Sequence, residues 1–390
     1  MISFEKAEEI VARHSIKLIT EKVSFIDSLG RVLAEDITSD IDMPPFDKTA
    51  VDGYACRRSD LGKELEILET ISAGTLAQKV VGEGECSKIM TGAAVPDGSD
   101  FVFMVEDALE KDGRVKYTGS SRKDNIARKA EDISVGDIVL RKGRVIRPQD
   151  IAVMATVGAT EVEVSKKPKV GVISTGDELV EPTEVPGKGQ IRNSNAYQLI
   201  AQVIRAGGDA FYYGIAKDSE EETFNVVASA IDECDIVLLT GGVSMGDFDF
   251  VPKVLKLAGV EIIFDRVAVQ PGKPTTFGIH SSGIVFGLPG NPVSSFVQFE
   301  LFVRPLIARS MNSNWEAGVF LYTLAKDYKR KRGERLAFVP VLLKEDNKVI
   351  VADYHGSAHI NALPDAIGLM KIPIGILEIK EGESVDVRQI

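Results

Sequence analysis

From residue 168 to about residue 312, apolar runs of strand length alternate with amphipathic stretches of helical period, the pattern of a parallel sheet covered by helices. The runs KVGVIS (169–174), 210–216 and DIVLLT (235–240) read as buried strands, with others near 260–264 and 284–287. Between them, 193–207 reads as a helix opened by Asn193 and closed by Gly207, and a second carries Phe224, Val227, Ala228 and Ile231. The stretch LPGNPVSSFVQFELFVRPLIARS begins as a Pro and Gly turn and runs into a further amphipathic helix. Upstream the rhythm differs. Phe4, Ala7, Ile10 and Val11 recur at helical spacing after Ser3, and the first 40 residues read as helix, turn, helix. From Asp42 to about Val139 short alternating runs such as LEILETI and FVFMVEDA are separated by Gly, Asp and Pro, which predicts a β-rich domain. Residues 138–167 hold further short strands and a small helix, expected to return to the N-terminal helices. Beyond Trp315 short strands predict a small barrel or sandwich. The fold class is therefore multi-domain α/β, divided into 1–41 with 138–167, 42–137, 168–312 and 313–390.

With 390 residues, the chain needs more than one core. The 46 basic and 58 acidic residues leave a net charge of −12, which argues against broad binding to nucleic acid or an anionic membrane, so an anionic ligand must be held in a local pocket. Cys56, Cys86 and Cys234 are far apart in sequence and form no CxxC pair, so neither a disulfide framework nor a zinc ribbon is expected, and a reducing cytoplasm fits best. No run is long enough to span a membrane, and the N-terminus lacks the basic and apolar regions of a signal peptide. His14, His280, His355 and His359 form no HExxH pattern and are expected at the surface or in packing.

In open parallel sheets ligands collect beyond the carboxyl ends of the strands. There this chain places Ser174-Thr175-Gly176-Asp177-Glu178 after one strand and Gly241-Gly242-Val243-Ser244-Met245-Gly246-Asp247-Phe248-Asp249 after another. Glycines let backbone amides approach phosphate oxygens, hydroxyls donate to them, and carboxylates hold Mg²⁺ beside them, so the pair of loops predicts a metal-assisted phosphate site. Each loop alone is equally well explained by turn chemistry. Neither a P-loop nor a GxGxxG fingerprint is present. Alternation puts Arg266, Ala268 and Gln270 on one side of an extended segment, and Lys273 follows in a turn flanked by prolines, suited to a fixed positive charge or to a plain surface turn. Arg122, Lys123, Arg128 and Lys129 surround Asn125 and precede Glu131-Asp132, an anion trap or a solvated face. Asp52 and Asp218 stand beside turns, where an aspartate serves equally as a turn former.

Seven stretches, 42–55, 89–93, 131–133, 174–179, 241–246, 271–274 and 288–294, together resemble the molybdopterin molybdenumtransferases, the MoeA family that includes the gephyrin E domain, in the family's order and across nearly the whole chain. The resemblance implies homodimers of four-domain subunits, a cleft between the molybdopterin-binding three-layer α/β domain of one subunit and the β-rich second domain of its partner, and a C-terminal β-barrel. It also implies the reaction: adenylylated molybdopterin is hydrolysed at its pyrophosphate with Mg²⁺ or another divalent cation, AMP leaves, and molybdate or tungstate is inserted. By motif position, Asp52, Thr91 and Asp132 form one side of the cleft and Glu178, Asp218 and Asp249 the other, these last three as metal ligands or water-orienting groups. Substrate is assigned to Ser174, Thr175, Gly176, Asp177, Gly241, Gly242, Ser244, Arg266, Gln270, Lys273, Pro289, Pro292, Arg128, Lys129 and Ser357, with Lys273 and Arg266 on oxyanion oxygens.

The chain departs from the family at three places. Gln270 stands where many members carry lysine, Ala127 where many carry arginine, and Ala130 where a glycine is common. Arg128, Lys129 and Arg266 are expected to supply the missing positive charge, with arginine offering a planar fork. The alternative functions are molybdopterin adenylylation, since the α/β domain resembles that of the preceding enzyme, and a scaffold of the gephyrin kind. Expected partners include the adenylyltransferase and acceptor molybdoenzymes.

Overall fold

The computed structural model describes residues 1–217, 219–242, 251–353, 356 and 358–390. The chain divides into two compact units, one comprising Met1–Glu35, Lys142–Arg147 and Glu161–Ile390, the other Asp36–Arg141 and Pro148–Thr160.

In the larger unit a six-stranded sheet is built from β1 (Lys169–Thr175), β2 (Asp209–Ala216), β3 (Ile236–Thr240), β4 (Glu261–Arg266), β5 (Pro274–His280) and β6 (Gly283–Leu288), in the order β2-β1-β3-β6-β5-β4. The first four are mutually parallel; β5 runs antiparallel to both its neighbours. Strand β5 has no counterpart in the sequence-based reading, which took its start as a turn. Alternating side chains divide between two cores, as a pleated strand buried on both faces requires. Val170, Val172, Ile236 and Leu238 face helices α1 (Ser194–Arg205) and α4 (Pro292–Gln298), whereas Ile173, Val237 and Leu239 face α2 (Glu220–Glu233) and α3 (Val251–Leu257). The result is three layers.

Helix starts follow from their caps. Asn193 accepts the Ala196 amide at 3.3 Å before α1, and Ser219 accepts the Glu222 amide at 3.2 Å before α2, whose first turn carries Glu220, Glu221 and Glu222 against the helix dipole. Helix α4 continues through a π-helical turn, Phe299–Val303, into α5 (Arg304–Ser310). That turn presents Glu300, 1% exposed, to Gln202 (2.7 Å), Arg304 (2.9 Å) and Arg205. The charge is buried but fully partnered, the condition under which it is tolerated.

In the C-terminal part, Val319–Leu324, Leu336–Lys344, Lys348–Val351, Gly368–Ile372 and Ser384–Gln389 pair around a closed ring, a small barrel filled by Val339, Val341, Val349, Met370 and Val387. Val269–Gln270 adds to it beside Leu336–Ala337. At the N-terminus, helix Phe4–Ala12 sets the Phe4 ring against Phe302 and Phe338. The expected second helix is not formed: Thr20–Ser24 is a strand antiparallel to Glu161–Ser165. Its half-buried residues alternate with exposed ones, and the partner strand supplies buried Val162 and Val164, so pairing with a distant segment decides the conformation.

The smaller unit is β-rich. Its sheet runs Phe101–Met104, Gly53–Cys56, Glu85–Ile89, Glu64–Ile71, Arg114–Tyr117, Ala108–Lys111, with Tyr54, Leu65 and Phe103 in one core cluster and Ala55, Ile71 and Val102 in another. At the start of the strand next to its edge, a Cβ on Gly53 would lie 2.0 Å from the Phe103 carbonyl oxygen. Gly53→Ala is therefore expected to lower stability by roughly 2–3 kcal/mol in urea denaturation; an unchanged midpoint would contradict this backbone contact.

Candidate functional site

Parallel strands deliver their carboxyl ends to a single edge. The register aligns Ser174, Thr240 and Leu288 across β1, β3 and β6. Because β5 is antiparallel, its start reaches the same edge, with Pro274 paired to Arg266 at the end of β4. Arg266 and Lys273 thus belong to the edge that carries the two glycine loops.

The β1 and β3 loops meet through glycine. A Cβ on Gly241 (φ 95°) would lie 2.4 Å from the Thr175 carbonyl oxygen, and one on Gly242 (φ 58°) would lie 2.9 Å from Thr175 Oγ1. Both positions combine left-handed backbone with contact too close for a side chain. Gly176 (φ 144°) leaves open the space taken by the Glu178 carboxylate, whose Oε2 lies 2.4 Å from where its Cβ would stand. The short parallel pair Leu179–Val180 and Ile191–Arg192 and the Ile191 amide donating to the Glu178 carbonyl (2.8 Å) fix that loop.

These elements border a cavity of about 320 Å³ lined by Thr175, Glu178, Gly241, Pro292 and the start of α1. From the C-terminal region it receives Ala358 and Ile360, immediately beyond position 357. Ser174 is buried and donates to Asn193 Oδ1 at 3.0 Å; Asn193 donates to Tyr212 (2.9 Å), which donates to Glu181 (2.6 Å). Burial, then the Glu181 bond, pushes the Tyr212 phenol above its ordinary value, keeping it a neutral donor. Among the described residues, buried Thr175 Oγ1 has no hydrogen-bond partner. Oxygen-rich surroundings and the amides at the start of α1 suit a phosphate ester and a hard cation. Among the described residues no three His, Cys, Asp or Glu side chains cluster as a preformed metal site. Asp218, Ser244, Asp249 and Ser357 lie outside the described residues, so Glu178 alone of the expected metal ligands is placed, and it lines the cavity.

Asn195 had escaped the sequence reading. It donates to Thr240 Oγ1 (2.9 Å) and to the Gly290 carbonyl (2.7 Å), joining the ends of β3 and β6 to α1. The repeated asparagine of Asn193-Ser194-Asn195, whose first member is the helix cap, is its signal in the sequence. Pro289 is buried, and Pro292 opens α4. Asp177 is exposed on its loop.

Pro271-Gly272-Lys273 is held from beneath. Gln298 Nε2 donates to the Pro271 carbonyl (2.8 Å), Thr275 Oγ1 donates to the Gly272 carbonyl (2.8 Å), and both supporting side chains are fully buried. Lys273 stands exposed on this turn, Arg266 is half-buried with Asp265 at 3.9 Å, and Gln270 is half-buried; none of the three lines the cavity.

In the smaller unit, segments 42–52, 89–95 and 124–133 are stitched together. Thr49 pairs with Ile126, Lys48 with Ala94 and Met43 with Ile133. Asp52 Oδ1 accepts both the amide and the hydroxyl of Thr91 at 2.7 Å, and these two bonds hold its carboxyl below the usual aspartate value. Asp132 is exposed, with its amide on the Met43 carbonyl at 3.0 Å. Arg128 is engaged with Asp47 and Asp124 (2.9 Å each), and Lys129 Nζ lies 3.2 Å from Asp42. These two basic residues are already engaged by three acids of their own unit. Ala130 adopts φ 60°, the left-handed region that favours glycine.

Models of three successive regions match the chain: the MoeA N-terminal region (domains I and II) over residues 2–158, a probable molybdopterin binding domain over 171–309, and the MoeA C-terminal region (domain IV) over 322–390. The chain belongs to the MoeA family. It is 36% identical to a molybdopterin molybdenumtransferase of Staphylococcus aureus, covering 98% of this chain and 96% of that one, and 36% identical to one of Bacillus subtilis, covering 94% and 89%. A crystal structure of a molybdopterin biosynthesis MoeA protein from Pyrococcus horikoshii matches all of both chains with a TM-score of 0.87 and 32% identity.

Two measurements check the local physics. Thr91→Val keeps the amide bond and removes the hydroxyl, so the Asp52 pKa, followed by carboxyl NMR, is expected to rise part of the way to its ordinary value. The stability Asp52 adds is present above that ordinary value and lost as pH falls through the lowered one. In the variant it is smaller and vanishes at a higher pH. Ala130→Gly is expected to stabilise the protein by about 0.5–1 kcal/mol in urea, relief of left-handed strain outweighing the added freedom of the unfolded chain; destabilisation would count against that backbone conformation.

Proposed function

We propose that this protein is a molybdopterin molybdenumtransferase, which takes adenylylated molybdopterin and molybdate, hydrolyses the pyrophosphate by forming a P–O bond to water as the bridging P–O bond breaks, releases AMP and leaves the metal on the dithiolene sulfurs. The observation that carries the reading is the sheet-edge cavity of the α/β region, with Glu178 folded over Gly176 and Gly241 pressed on Thr175, in a chain that matches its relatives from end to end. Buried hydroxyls and helix-start amides bind phosphate oxygens, and Lys273 and Arg266 on the same edge bind the oxyanion. A divalent cation, Mg²⁺ or a similar ion, would be held by Glu178 with Asp218 and Asp249, and when bound would neutralise charge on the pyrophosphate. The oxygen donor of Glu178 and the unpartnered Thr175 hydroxyl support a hard cation there.

Asp52, Thr91 and Asp132 are assigned to the same reaction, the cleft being completed by the second subunit of a homodimer. Gln270 leaves Lys273 and Arg266 as the cations assigned to the oxyanion, and tungstate, a tetrahedral dianion of the same charge and nearly the same size as molybdate, suits them equally. A cytoplasmic setting agrees with three free, buried cysteines and with the lack, among the described residues, of any helix long and apolar enough to cross a membrane.

The test is AMP release from adenylylated molybdopterin with Mg²⁺ and molybdate, with tungstate in a parallel arm. Glu178→Ala and Asp132→Ala are each expected to slow release by roughly 10²-fold or more without loss of the folded dimer. Consumption of ATP to make the adenylylated pterin would instead identify an adenylyltransferase, and full turnover in both variants would refute the assignment of roles.

A further inference from the structure

In the smaller unit, Cys56 and Cys86 occupy directly opposed positions on the antiparallel strands Gly53–Cys56 and Glu85–Ile89. Opposed residues share a face of the sheet, and both side chains belong to the same core cluster, with Tyr54, Leu65, Phe101 and Phe103. Such positions set Cα atoms about 4.5–5.5 Å apart, inside the range of about 4.4–6.8 Å that a disulfide spans, and the Cβ atoms need only a small further approach. Both cysteines are free and 0% exposed. The third, Cys234, lies in the other unit against the Tyr213 hydroxyl at 3.4 Å.

We propose that Cys56 and Cys86 are an oxidative modification site, a dithiol registered by the sheet that a peroxide closes to an intrachain disulfide. One thiolate attacks the O–O bond and becomes a sulfenic acid as hydroxide leaves; the second sulfur attacks it and expels water. Two thiols and one peroxide yield one disulfide and two waters. Burial pushes both thiols up to about 12, so little thiolate exists at neutral pH and closure is slow, following transient opening of the strands. The bond would staple the pair of strands whose opposite end carries Asp52, just before Gly53, and Thr91, two residues after Ile89.

The experiment exposes the native full-length protein to hydrogen peroxide, then alkylates it in denaturant and maps it by mass spectrometry. The expected product has lost two hydrogen atoms, retains a single alkylatable thiol at Cys234, and yields a peptide joining Cys56 to Cys86. Cys234→Ser should still close, whereas Cys86→Ser, or Cys56→Ala should the former not fold, should not. The thermal midpoint of the oxidised chain should rise by roughly 5 °C. Three alkylatable thiols after prolonged treatment, a bond to Cys234, sulfonic acids at Cys56 and Cys86 in place of the bond, or a lowered midpoint would each overturn the proposal.

Discussion

The contact of Gly241 with the Thr175 carbonyl governs what the α/β region can do, because it lets two strand ends converge where side chains would force them apart. Parallel strands share an edge by construction, yet sharing an edge does not bring loops together. Here the missing Cβ atoms of Gly241 and Gly242 close the gap, the missing Cβ of Gly176 admits a carboxylate, and Asn195 ties the end of β3 to α1 and Gly290. The cavity is thus shaped largely by backbone and small polar groups, which suits a ligand recognised through phosphate oxygens.

Charge is distributed with comparable economy. A chain with net charge −12 cannot attract anions over distance, and its individual basic residues are used in different ways. Arg128 and Lys129 are consumed by Asp42, Asp47 and Asp124, so they brace a loop. Lys273 is exposed on a turn whose carbonyls are anchored by buried Gln298 and Thr275, an arrangement that fixes the backbone and leaves the ammonium in solvent. A lysine on a rigid turn loses less freedom on binding than one on a loose loop.

Much of this was legible in the sequence, and the failures have physical causes. Strand and helix alternation from 168 to 312 was readable because strands buried on both faces are continuously apolar, and Asn193, Gly207 and Pro292 mark their helix ends by local chemistry. Strand β5 was missed because its opening Pro-Gly-Lys-Pro reads as a turn, and Thr20–Ser24 was misread because its partner lies some 140 residues away. The glycine loops and Glu178 could be singled out from their place after strands. Asn195 carries only the weak signal of a repeated asparagine, because its role depends on Thr240 and Gly290 arriving from elsewhere. Cys56 and Cys86 looked unrelated for the same reason: strand pairing, invisible in spacing, sets them face to face.

Glu300 carries a consequence of a different kind. Its π-helical turn buries an ionised group among Gln202, Arg205 and Arg304. The cost of stripping water from such ions falls on warming, while the benefit of apolar burial levels off. This cluster of four therefore weakens least, relative to the surrounding apolar core, when the protein is hot, and it acts as a heat-tolerant pin between α1 and the long helix that closes the α/β layer.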